Sequence, residues 1–379
     1  MGKGNSQFLN MYVLQTVPFA NINRDDMGSP KTGYYGGSVR ARVSSQTIKA
    51  IIRAILREKL GEEKIGKRTK NVITLVADEI RRLSPEADAE SLAKTVLQNA
   101  GVSFNNDEDK EANNKEGTEA PKAADGKKGK KAKGKPKDSS KTKALTFISS
   151  AQARALAKCA VSGDMDPKSC AKAMADSPSV DMVLFGRMVA GAKPLNVEAV
   201  SQVAHAISTH AVHNEVDYYT AVDDISKDDS TGAGHVDSAE FNSSTLYRYA
   251  SINLAEARDA LGADTAEAVA AFVDAFVRAM PTGKIHAYAN CTVPDVVYIT
   301  IREDQPINLV GAFEQPVVSD EGYMAESEER LVEYAEKINE CYGEPVAAYG
   351  FGDAILQVCD KATLPEITEK VKDWISSNM

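Results

Sequence analysis

Residues 7–17, QFLNMYVLQTV, and residues 44–60, SSQTIKAIIRAILREKL, decide how this chain is read. The first run is rich in apolar and β-forming side chains and suits a buried strand. The second opens on a serine pair, and Ser44 or Ser45 can accept the orphan amide bonds of a first helical turn. Ile48, Ile51, Ile52, Ile55 and Leu56 then recur at helical spacing as a buried stripe. Lys49, Arg53 and Arg57, four apart, line another face, and Gly61 ends the helix. Between the two runs, residues 18–43 hold Pro18, Pro30 and several glycines and read as a long loop or hairpin.

Outward from this core, residues 70–101 read as helical, residues 149–205 as helical with loops at Asp164–Lys168 and Ala192–Asn196, and residues 206–243 as strands mixed with polar loop. Residues 244–254, STLYRYASINL, alternate as a strand, and residues 262–280 form an alanine-rich helix. Residues 285–301 carry the strand VVYITI, and helices are expected near 327–340 and 364–377. Strand, long loop, helix, large helical insertion, strand, strand, helix, strand is an α+β order of the split βαβ kind, the ferredoxin-like or RRM-like plan interrupted by insertions. Residues 105–143 contain almost no large apolar side chain and pass from an acidic part to a lysine-rich one. Such a segment cannot bury enough surface to offset its ordering entropy, and it is expected to be disordered.

The chain has 379 residues, 43% hydrophobic and 26% charged, which suits a globular protein of two or three structural units. No apolar run approaches the ~18–20 residues that span a bilayer, and no secretory pattern opens the chain. Five scattered cysteines without a CxxC pair indicate neither a disulfide framework nor a zinc ribbon. A reduced, cytoplasmic protein without a membrane partner is expected. Net charge is −9, but its distribution is uneven. Residues 1–60 carry 9 basic and 3 acidic side chains and residues 105–143 carry 12 and 8, while the remainder carries 24 basic and 43 acidic. A basic strip on an acidic body leaves room for a local polyanion site.

Residues 21–57 concentrate that strip. Arg24, Lys31, Arg40, Arg42, Lys49 and Arg53 supply charge, Ser44 and Gln46 supply neutral donors, and the helix start supplies free amides. Together these suit a phosphate backbone better than a small neutral substrate. Other constellations are weaker. Gly61–Lys67 nearly spells a P-loop, but Arg68 stands where Ser or Thr would bind magnesium, and the stretch follows a helix. His205, His210 and His213 are near in sequence but are read as structural rather than as metal ligands. Asp25, Asp26, Asp223 and Asp224 are two carboxylate pairs that would suit a metal-dependent nuclease. Neighbouring carboxylates on a strand point to opposite faces, and turn formation is the plainer reading.

The motifs in this strip closely resemble the CasC family, the backbone subunits of type I-E CRISPR Cascade. The resemblance rests on Asn23-Arg24-Asp25-Asp26, Tyr35-Gly36-Gly37, Arg40-Ala41-Arg42-Val43-Ser44-Ser45-Gln46 and Ile48-Lys49. Farther on it rests on Phe185-Gly186-Arg187-Met188, Ala204–His210, Tyr219–Asp224, Tyr247–Leu254 and Ala312-Phe313-Glu314, in the family's order.

The resemblance implies a modified RRM-like palm in residues 1–60 and 244–379, a helical fingers insertion in 61–190 and a thumb region in 191–243. It implies a non-catalytic subunit, without cofactor, that polymerises along crRNA, contacts copies of itself and other Cascade subunits, and presents the RNA to target DNA. Carried over, Arg24, Lys31, Ser44, Gln46, Lys49 and Arg53 meet guide-RNA phosphates. Met188 wedges against bases, core packing being its alternative. Tyr219 and Thr220 fall at the thumb, strand packing being the alternative for Tyr219. Ser38 departs from a position that is lysine in some members, the lysine-rich insertion is not a family feature, and RRM aromatic motifs are absent.

Overall fold

The computed structural model describes residues 7–105, 141–142, 145–189, 192–221 and 235–379. Most of the lysine-rich 105–143 segment, and Asp223 and Asp224, lie outside the described residues. The chain divides into two compact units, one drawn from Met1–Glu62, Val183–Phe185 and Ala199–Met379, the other from Glu63–Met182 and Gly186–Glu198. In chain order the strands are β1 (Phe8–Ala20), β2 (Thr32–Tyr35), β3 (Ser38–Val43), β4 (Lys67–Thr69), β5 (Thr146–Ile148), β6 (Ser201–Val203), β7 (Ala206–Ser208), β8 (Glu215–Ala221), β9 (His235–Asn253), β10 (Val296–Arg302), β11 (Ala347–Phe351) and β12 (Asp360–Lys361). The helices are α1 (Ser45–Leu60), α2 (Val72–Leu83), α3 (Ala89–Asn99), α4 (Ser150–Ser162), α5 (Pro167–Ala175), α6 (Val180–Phe185), α7 (Leu254–Leu261), α8 (Thr265–Arg278), α9 (Ile285–Tyr288), α10 (Met324–Tyr342) and α11 (Leu364–Asn378).

The first unit is a mixed sheet in the order β12-β11-β10-β1-β9-β7-β3-β2, with β6 and β8 also pairing with β9. β1 runs antiparallel to both β9 and β10, and β11 and β12 pair in parallel. The apolar run that marks β1 is buried on both faces because helices cover both. Tyr12, Leu14, Tyr247, Tyr249 and Tyr298 pack with Leu331, Val332 and Ala335 of α10. By alternation, Leu9, Met11 and Val13 point the other way. On that side α8 packs against α1 and α11. The α1 stripe is narrower than its sequence suggests: Ile48, Ile52 and Leu56 are buried, while Ile51 and Ile55 are half-buried.

Two buried arginines tie helix ends to this sheet. Arg248 of β9 donates to the carbonyls of Phe276 (2.9 Å), Ala279 (2.7 Å) and Val277 (2.9 Å) and to Gln15 Oε1 (2.8 Å). It thereby satisfies the open carbonyls at the end of α8. Burial pushes its guanidinium down to about 9, and it stays cationic at neutral pH. On the opposite face Arg302 of β10 donates to Tyr342 O (3.2 Å) and Gly343 O (2.9 Å) at the end of α10, and pairs with Asp304.

The second unit is mainly helical, around Val72, Val76, Ile80, Val96, Leu97, Leu156 and Met174, with the short β4–β5 pair beside it. The single helical pattern over 70–101 is two helices, because Ser84 ends α2 and the Asp88 side chain caps α3. The helical expectation for 149–205 fails beyond Phe185. Gly186 adopts a φ of 77°, and Arg187 then folds back into the unit, donating to Leu195 O (2.8 Å), Phe147 O (3.3 Å), Gln152 Oε1 (3.1 Å) and Met174 O (3.0 Å). Among the described residues no helix is long and apolar enough to cross a membrane.

Candidate nucleic-acid interface

β3 delivers the chain to α1, and the 21–31 loop stitches this junction from the side. Asn23 accepts the Ser44 N–H at Oδ1 (2.9 Å) and donates from Nδ2 to the Thr47 hydroxyl (3.1 Å). The Lys31 amide donates to Asn23 O (2.8 Å), and the Arg42 amide donates to Lys31 O (2.9 Å). Within the loop the Asp25 carboxylate accepts the amides of Met27 (2.9 Å) and Ser29 (3.0 Å), so it serves its own turn. Asp26 is exposed.

Ser44 stands at the N-cap in extended backbone, yet its side chain does not cap the helix. The hydroxyl pairs with the Thr47 hydroxyl at 2.8 Å. This corrects the expectation that a serine side chain satisfies the first-turn amides. The first turn also lacks any acidic residue. The Ser45 amide donates instead to Nδ1 of His205 (3.2 Å), and Arg42 NH1 lies 3.4 Å from the same nitrogen. Both approaching groups are donors, so Nδ1 holds the lone pair and the imidazole proton sits on Nε2. Burial, then the charges of Arg42 and Lys31, lower the pKa of His205 and keep it neutral.

The positive end of the α1 dipole therefore opens beside Lys31 and Arg42 without an acidic residue in its first turn, an arrangement that attracts anions. Exposed Gln46 lies in the first turn, and half-buried Lys49 and Arg53 follow at one-turn spacing. Arg24 is exposed and Lys31 half-buried in the flanking loop. Arg42 is half-buried, with its Nε donating to Thr32 O (3.1 Å).

Arg40 does not belong to this strip. It is fully buried, and its guanidinium donates to Ser38 Oγ (2.8 Å) and to the carbonyls of Ser208 (2.9 Å), Thr209 (2.9 Å), Phe313 (2.8 Å) and Glu314 (3.3 Å). Its donors are engaged inside the protein, so the phosphate contact expected of it is withdrawn. Gly36 seals the same corner: its φ is +55°, and a Cβ there would collide with the Glu314 carbonyl.

The remaining site residues lie on other elements. β8 and β9 form a hairpin, on which Tyr219 is 45% exposed and Thr220 is exposed. The Tyr219 hydroxyl donates to Asp237 Oδ2 (3.1 Å), which raises its pKa. Met188, in the second unit, is 85% exposed, which rules out core packing. His210 is a buried structural residue: Nδ1–H donates to Ala211 O (2.8 Å), Nε2 accepts the Thr245 N–H (3.1 Å), and the ring stacks on Tyr323. Among the described residues no three His, Cys, Asp or Glu side chains gather as a metal site. Sequence reasoning missed Asn23 and Thr47 as the stitches of the junction and set His205 aside. The only sequence signal for His205 was its place in the Ala204–His210 motif.

The structure is a mixed α+β chain whose first long helix opens, without a side-chain cap, beside a cationic loop. More narrowly, the sequence pattern of the CT1975-like protein family matches residues 9–376, and the chain belongs to that family. It is similar to a chain of a solved "CRISPR RNA-guided surveillance complex, pre-nicking", at 29% identity and a TM-score of 0.71, covering 98% of this chain and 100% of that one. It is also similar to a chain of a "CRISPR RNA-guided surveillance complex", at 26% identity and a TM-score of 0.61, covering 97% and 99%. A comparison with curated proteins found no match. The resemblance to Cascade backbone subunits drawn from the motifs stands with these matches.

Proposed function

We propose that this chain is a non-catalytic backbone subunit of a type I-E Cascade complex, lining up head to tail along crRNA in the cytoplasm. The β3–α1 junction holds the sugar–phosphate chain, and the bases are left to pair with target DNA. The uncapped, acid-free start of α1 beside Lys31 and Arg42 is the observation that carries this reading. Family membership and two solved surveillance-complex chains of nearly equal extent support it. The order β10-β1-β9-β7 supports an RRM-like palm, the helical unit suits fingers, and the β8–β9 hairpin suits a thumb. Head-to-tail contact between copies is heterologous, and a rotation that does not close yields an open helical array. Other Cascade subunits would end that array, and the lysine-rich 105–143 segment would add attraction for target DNA.

The test is purification of the full chain with its nucleic acid. A short RNA of uniform length should co-purify, and its digestion should shorten the arrays. Magnesium with matched RNA or DNA should yield no cleavage. Arrays of unchanged length after digestion, or cleavage lost in Asp25→Ala, would overturn the reading.

A further inference from the structure

Beside the phosphate strip lies an aromatic surface that the reading above does not use. β1 loses register with β9 between Val17 and Ala20, and this bulge leaves Phe19 60% exposed. Phe19 meets Phe241 of β9 edge to face, with ring centroids 5.5 Å apart. Tyr288 meets Phe241 from another side at 6.0 Å. Tyr288 sits on the single turn α9, flanked by Lys284 at φ 50° and Ala289 at φ 48°. Side chains rarely adopt such a backbone unless the surroundings hold it, and held strain collects at binding sites. The same segment abuts the strip: a Cβ on Gly283 would stand 2.5 Å from Ile22 O and 2.9 Å from Asn21 O, so only glycine permits this approach.

Three rings from three separate elements thus meet next to Asn21–Arg24. On the hairpin, Asp217, Tyr219, Phe241 and Asp237 share one face by register. Carboxylates on that face repel a phosphate chain, while the strip attracts it. A strand lying along the strip would therefore turn its phosphates toward α1 and its bases toward the rings.

The geometry points to Phe19, Phe241 and Tyr288 as a stacking ledge for bases of the guide RNA, which sets the face on which the bases emerge. The inference rests on the proposed RNA-backbone function and adds a base-contacting surface to it. Every base has a π face, so the ledge is indifferent to sequence.

The test uses the full chain freed of RNA, with two probes: oligoadenylate RNA and an abasic phosphoribose oligomer of the same length. Wild type should bind oligoadenylate roughly tenfold more tightly than the abasic oligomer. Phe19→Ala and Tyr288→Ala should remove most of that difference and leave abasic binding unchanged. Phe19→Leu, which keeps apolar bulk without a π face, should behave as Phe19→Ala, and Phe19→Trp should retain affinity. Equal loss on both probes, or no loss on either, would overturn the ledge. So would a changed sedimentation of the RNA-free Phe19→Ala protein, which would make the rings a contact between copies. Failure of the underlying reading looks different: wild type would then bind neither probe in a salt-dependent way.

Discussion

Two helices of this chain open on nearly the same letters and end up differently. α4 begins Ser149-Ser150-Ala151-Gln152, and α1 begins Ser44-Ser45-Gln46-Thr47. At α4 the Ser149 hydroxyl accepts the Gln152 amide (3.0 Å) and Gln152 Oε1 accepts the Ser149 amide (3.1 Å), a complete capping box. At α1 the glutamine stands one position too early. Threonine takes the reciprocal place, the two hydroxyls bond each other, and Asn23 accepts the Ser44 amide while His205 accepts the Ser45 amide. A one-residue difference separates a helix start closed by a capping box from one without a side-chain cap.

The largest test of that contrast is Ser44→Asp, which supplies the missing cap together with a negative charge. Affinity for single-stranded RNA should fall by ~1–2 kcal/mol, about tenfold, while the melting temperature rises. Fluorescence anisotropy and calorimetry on one preparation read both, and a variant that binds RNA as wild type would end the claim that α1 receives phosphate. The reciprocal change, Ser149→Ala, should cost about 1 kcal/mol of stability and leave RNA affinity alone. A loss of affinity there would mean that the two helix starts are not functionally distinct.

Lys49→Ala should weaken RNA binding roughly threefold to fivefold for every sequence, and lower the salt slope by about 0.7. Base-selective loss would contradict backbone gripping. The smallest expected effect is on pH. α4 is capped by groups that do not titrate, whereas α1 leans on an imidazole. The lowered pKa of His205 means that the unfolded chain takes up a proton before the native one does. Stability should be flat above the ordinary histidine value of about 6.5 and fall as pH drops from there toward the lower folded value. His210, lowered chiefly by burial, adds the same sign from the core. Thermal melts from pH 8 to 5 should therefore show a shallower decline in His205→Gln than in wild type.

Much of this was legible in the letters. The unbroken apolar run announced β1, the isoleucine spacing announced α1, and the joint order of motifs announced the family. Local patterns failed where distant segments decide. Arg40 and Arg42 share one face of β3 and look alike in sequence, but residues 208–209 and 313–314 cover only the first. His205 reaches α1 because β6 and β7 pair with β9, a register no neighbouring residue encodes. Helix periodicity over 149–205 overran Gly186 because nothing local reveals that Arg187 will turn inward.

Arg248 and Arg302 fasten helix ends to opposite sides of the same three central strands. In the proposed array, angular play inside one copy would compound, so that distant members would drift out of step with the proposed guide. Two guanidinium clamps, one per side, would hold such play small and keep the pitch of the proposed array regular.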